Sequence, residues 1–136
     1  MFCYQCEQTA RGEGCTKSGV CGKEPDVAAL QDLLVYVLSE LSFYAEKGRN
    51  AGIIDHDSDV FALEALFATL TNVDFDPERF VELINRATTL KDSLKEKLGK
   101  AGIDVDLPTG FSSFTPETTM EGLIKQGEAV QIRPDN

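Results

Sequence analysis

The sequence predicts an all-α fold: a three-helix bundle preceded by a cysteine-rich loop, with a short fourth helix near the C-terminus. Three observations carry that prediction. Apolar residues recur every three or four positions along three successive segments, which is the period of an amphipathic helix and not of a strand. Asp-Pro and Thr-Pro pairs stand where such segments begin, joining a capping side chain to a first-turn proline. The first 23 residues, by contrast, are short of aliphatic side chains and hold all four cysteines.

At 136 residues the chain suits one domain with a single apolar core. With 42% hydrophobic and 26% charged residues it has the balance of a globular protein rather than of a disordered tail. Its net charge of −10, with no basic run to offset it, repels phosphate backbones and anionic lipid headgroups, so neither nucleic acid nor a membrane is an expected partner. The apolar stretches Leu33 to Leu38 and Leu63 to Leu70 fall well short of the roughly 20 residues that span a bilayer. No basic, apolar secretory leader precedes Cys3, and a cytoplasmic location is expected.

Residues 1–23 read as a loop wrapped around something other than its own core. A second region, 24–102, carries the three helices. The first starts at Pro25, places Val27, Leu30, Leu34, Val37, Leu38, Leu41 and Ala45 on one stripe, and runs to Gly48. Asp57 or Ser58 is the expected cap of the second, which puts Val60, Leu63, Leu66, Phe67 and Leu70 on its core face and ends near Asn72. Asp76 and Pro77 open the third, whose stripe of Phe80, Leu83, Ile84, Ala87, Leu90, Leu94 and Leu98 stops by Gly102. The remaining residues, 103–136, read as an irregular connection followed by a short helix, capped by Thr115 and Pro116 and reaching about Val130. The closing Pro134-Asp135-Asn136 reads as the lead into a further element, as in a truncated chain.

A reducing cytosol disfavours structural disulfides, so the cysteines point to metal ligation or redox chemistry. Their spacing is Cys3-x2-Cys6-x8-Cys15-x5-Cys21, interleaved with Gly12, Gly14, Gly19 and Gly22. A cubane [4Fe-4S] cluster needs four thiolates and close backbone amides, and a short glycine-rich loop provides both. The spacing matches neither the tighter bacterial ferredoxin run nor the plant-type two-iron pattern. Structural zinc stays open as an alternative, although four-cysteine zinc sites usually present two Cys-x2-Cys knuckles and this chain has one.

The opening Met1-Phe2-Cys3-Tyr4-Gln5-Cys6-Glu7-Gln8-Thr9, with Gly14-Cys15-Thr16, Gly19-Val20-Cys21-Gly22-Lys23 and Leu30-Gln31-Asp32-Leu33-Leu34, resembles the start of the hybrid-cluster (prismane) proteins, the hydroxylamine reductase family. The likeness continues through Glu64-Ala65-Leu66-Phe67-Ala68-Thr69-Leu70-Thr71-Asn72-Val73 and Phe75-Asp76-Pro77. It implies a [4Fe-4S] cluster on Cys3, Cys6, Cys15 and Cys21, a helical first domain, and a parent enzyme of anaerobic metabolism. That enzyme's implied reaction takes hydroxylamine, two electrons and two protons to ammonia and water, with nitric oxide reduction as a related role. Its implied hybrid iron-sulfur-oxygen cluster draws on residues beyond this chain, so no catalytic residue is assigned here.

The expected role is electron entry, with a redox donor protein and the later domains of the parent chain as partners. A self-contained ferredoxin-like carrier and a zinc-stabilised interaction module are the alternatives. A segment of a larger enzyme should expose apolar surface and self-associate when isolated. His56, between two aspartates in an expected loop, is a weak ligand candidate. Phe2 and Tyr4 are expected to shield the cluster, to anchor the terminus, or to do both. Arg11, Lys17 and Lys23 either offset the cluster's negative charge and so influence its potential, guide an acidic donor protein to it, or are ordinary solvated side chains. Glu40, Glu46, Glu64 and Glu82 are read as solvent-facing.

Overall fold

A computed structural model describes residues 1–6 and 12–132 of the chain. Four helices follow one another: α1 Pro25–Asn50, α2 His56–Ala68, α3 Pro77–Lys100 and α4 Met120–Val130. Among the described residues the only extended pairing is a single antiparallel bridge between Cys3 and Cys15. The all-helical bundle expected from the sequence is therefore present.

Its packing centres on α1, which lies mainly against α3 and next against α4, while α2 sits at the edge. Leu30, Leu33, Leu34, Val37, Leu41 and Tyr44 of α1 and Phe80, Ile84, Ala87 and Leu98 of α3 are essentially sealed from water. Burying such stripes supplies most of the drive to fold, at about 25 cal/mol per Å² of apolar surface. α1 alone among the described residues is long and apolar enough to cross a membrane, and 67% of its most apolar window is buried inside the fold. Its apolar character is that of a core helix.

α1 and α3 end in the same way. The amide of Ile53 returns to the carbonyl of Gly48 at 2.8 Å and that of Ile103 to Leu98 at 3.0 Å, across Gly52 and Gly102 at φ of 83° and 75°. α3 begins as expected, with the Asp76 carboxylate accepting from the amide of Glu78 at 3.0 Å.

Three expectations need correction. α2 is capped by Asp55, which accepts from the amide and the hydroxyl of Ser58, so the helix starts and ends earlier than read. Its buried face is Ser58, Phe61 and Ala65, whereas Val60, Leu63, Leu66, Phe67 and Leu70 are exposed, Leu63 by 71% and Phe67 by 62%. α4 starts at Thr119, whose hydroxyl accepts from the amide of Gly122 at 3.1 Å, and not at Thr115. The Gln126 side chain instead binds the amide of Glu117 (3.0 Å) and the carbonyl of Thr115 (2.9 Å), which holds that Thr-Pro pair outside the helix.

Glu40 is the third correction, for it is buried. Its carboxylate accepts from the Ser113 hydroxyl (2.8 Å), the Phe114 amide (2.9 Å) and the Tyr44 hydroxyl (3.4 Å), and Lys91, itself buried, stands 3.5 Å away. Lys91 also donates to the Phe114 carbonyl at 2.7 Å. A buried charge pair is tolerated only when its remaining valences are met, and here each one is. The pair ties the connection between α3 and α4 to the core.

Candidate metal centre

The cysteine loop is built from two pieces. In the first, the amide of Phe2 donates to the Cys15 carbonyl at 2.8 Å and the amide of Cys15 to the Cys3 carbonyl at 2.7 Å. Residues directly opposed in an antiparallel bridge put their side chains on one face, so Cys3 and Cys15 are neighbours although eleven residues separate them. In the second, Gly19 donates to the Lys23 carbonyl (2.8 Å) and Gly22 to the Gly19 carbonyl (2.9 Å), forming the tight turn that carries Cys21. Gly19 has no room for a side chain, since a β-carbon there would stand 2.6 Å from the Lys23 carbonyl oxygen. Gly22, at φ 95°, takes the left-handed conformation that glycine tolerates best.

All four cysteines are free thiols; Cys15 is buried and Cys3, Cys6 and Cys21 are half-buried. Backbone pairing joins Cys3 to Cys15, while Cys6 and Cys21 lie on the flanking bends. Among the described residues no three cysteine, histidine or carboxylate side chains stand close enough together to grip a single metal ion. A cubane differs in its demand, because the body of the cluster holds its four sulfur ligands apart.

A polar network behind Cys3 fastens this loop to the bundle. The Lys23 ammonium is 1% exposed; it donates to the side-chain oxygens of Gln31 (2.7 Å) and Gln5 (2.9 Å) and lies 4.0 Å from Cys3 Sγ. Gln5 in turn donates to the Thr69 carbonyl at 2.8 Å and Gln31 to the Asp74 carbonyl at 3.3 Å. Through these two amides the loop is anchored to α1 and to the α2–α3 connection. Cys3, Gln5, Gln31 and Lys23 line one cavity of about 100 Å³.

Neither glutamine stands out in the sequence, and only its spacing of eight residues from Lys23, about two helical turns, links Gln31 to it. Of the cations considered beside the cysteines, Lys17 is exposed and Arg11 lies outside the described residues. Tyr4 donates from its hydroxyl to the Ile132 carbonyl at 2.9 Å, tying the N-terminal segment to the chain just past α4. Phe2 is half-buried beside Pro25 and Ala29. His56 is the exposed first residue of α2.

The model of the Prismane/CO dehydrogenase family matches residues 1–133. The chain is 54% identical to a hydroxylamine reductase of Syntrophobacter fumaroxidans and 51% identical to that of Methanocella arvoryzae, in each case over 99% of this chain and 25% of the relative. It is 48% identical to a hydroxylamine reductase of Solidesulfovibrio magneticus, over 93% of this chain and 23% of that protein. The chain thus spans about a quarter of the length of the curated relatives it matches. On the family model and on these relatives, the chain belongs to the Prismane/CO dehydrogenase family.

Proposed function

We propose that this chain is the electron-entry segment of a hydroxylamine reductase, holding a [4Fe-4S] cluster on Cys3, Cys6, Cys15 and Cys21. The observation that carries the reading is the Cys3–Cys15 bridge, which presents two free thiols on one face of a loop whose glycines bring backbone close to them. The donor set supports it further: four thiols with a buried ammonium behind one of them suit a soft, anionic, sulfur-ligated centre. When bound, such a cluster accepts and releases single electrons. The cysteines hold it, Lys23 faces it, and the Gln5 and Gln31 amides keep the loop in place. The reduction of hydroxylamine to ammonia and water belongs to the remainder of the parent enzyme, with its hybrid cluster.

The exposed surface supports two partners. A redox donor protein approaches the half-buried cysteine face, and later parts of the parent chain cover the apolar side of α2, where Leu63, Phe67 and Leu70 are 71%, 62% and 51% exposed. The relatives' fourfold greater length supplies that occupant. A cytoplasmic, anaerobic setting suits thiols that must stay reduced.

Iron and acid-labile sulfide analysis of anaerobically purified protein, with a visible spectrum before and after dithionite, tests the cluster. About four of each per chain, with absorption that bleaches on reduction, is the expected result. Zinc in place of iron, and no visible absorption after anaerobic reconstitution, would replace the redox role with a structural one.

A further inference from the structure

The two buried lysines of the described chain are in unlike surroundings. Lys91 has carboxylates at 3.5 Å (Glu40) and 3.2 Å (Asp92). Lys23, equally buried, has none within ion-pair distance among the described residues; its partners are two neutral amide oxygens and a sulfur. Withdrawing an ammonium from water without a counter-charge is costly, and amide oxygens offset only part of that cost. The two amides are moreover fixed in direction, because each donates its own N–H to a backbone carbonyl, at Thr69 and Asp74, and so turns its oxygen toward Nζ. The ammonium is oriented from behind and faces Cys3 Sγ at 4.0 Å, within reach of an N–H···S contact.

Resting on the iron-sulfur reading above, we propose that Lys23 is the built-in counter-cation of the cysteine-held centre, and that its fixed positive charge, delivered at the Cys3 sulfur, sets the centre's reduction potential. One-electron reduction adds a negative charge without making or breaking a bond. A cation held in a low-dielectric pocket beside one ligand therefore favours the reduced state more than a solvated lysine does. Lys17, exposed on the same loop, is the internal comparison.

The test is a dithionite titration of the anaerobically reconstituted chain, monitored by visible absorption and electron paramagnetic resonance. Wild type is compared with Lys23→Met, Lys23→Gln, Lys23→Arg and Lys17→Met. Iron and sulfide in the wild type are measured first; their absence overturns the iron-sulfur reading itself and the role of Lys23 with it. Given a cluster, the expected result is that Lys23→Met and Lys23→Gln shift the oxidised-to-reduced ratio at fixed potential at least tenfold toward oxidised, about 59 mV for one electron. Lys23→Arg stays within threefold of wild type and Lys17→Met within twofold. Neutral variants that lose the cluster while Lys23→Arg keeps it also support the proposal, since charge is then what separates them. A cluster retained in a neutral variant at the wild-type potential, or lost from all three Lys23 variants alike, makes Lys23 a structural clamp and overturns it.

Discussion

Tyr44 shows at residue scale how the buried polar groups behave. Its side chain is sealed from water and its hydroxyl donates to Glu40, so burial first, and the neighbouring carboxylate second, push its pKa from 10.0 up to about 12. The neutral phenol is thus the form the fold prefers. Its contribution to stability is complete below pH 10 and is lost as pH rises through about 12, at up to about 1.4 kcal/mol per pH unit between them. Denaturation profiles across that range are expected to fall more steeply for wild type than for Tyr44→Phe; parallel profiles would show that the phenol is not held neutral by its surroundings. Glu40 itself was not legible in the sequence. A lone glutamate in an apolar helix reads as a solvated face, and its partners at 91, 113 and 114 lie far along the chain. Lys23 was legible as a cation beside cysteines, but not as a buried one, because the two amides that cradle it, Gln5 of the N-terminal loop and Gln31 of α1, are brought together only by folding.

At the scale of elements, the sequence foretold α1 and α3 well because each has one dominant stripe and a strong cap or stop. α2 misled because nearly every position from Val60 to Ala68 is apolar, so periodicity alone cannot choose between the face at Phe61 and Ala65 and the face at Leu63 and Phe67. The choice falls to packing, and Phe61, under the Arg86 guanidinium at 4.8 Å, wins. The start of α4 was missed for a comparable reason, since Gln126 competes from within the helix for the backbone that Thr115 was expected to cap. The α1–α4 crossing is close: a β-carbon at Gly127 would fall on the Ala29 carbonyl group. Gly127→Ala is expected to force the helices apart at about 1–3 kcal/mol, with amide exchange rising first in α4. Unchanged stability and exchange would mean that the crossing yields easily.

The whole molecule joins a well-closed core to an unfinished surface. The isolated chain is expected to self-associate through Leu63 and Phe67 of α2, and the double variant Leu63→Ser, Phe67→Ser to sediment as a monomer at the same concentration. Both positions are exposed, so each substitution should change unfolding free energy by no more than about 0.5 kcal/mol. A monomeric wild type would sink the idea that this face seeks cover. The cysteines and their glycine-rich loop were the most legible part of the candidate site, because spacing and glycine content stand in the sequence itself. Its attachment to the bundle was hidden, since that attachment depends on backbone carbonyls at Thr69 and Asp74, which carry no sequence signature.

The central position of α1 also bears on how the protein is made. α1 ends at Asn50, yet its main partner α3 is complete only at Lys100, so 50 further residues must be synthesised before the core can close. At about 5–20 residues per second, that leaves a nascent helix of bilayer-spanning length and apolarity without its partner for roughly 3–10 seconds. Over that interval the ribosome presents a core helix whose apolar stripe has nothing of its own chain to pack against. The arrival of α3, more than the completion of α1, therefore sets when the core can close.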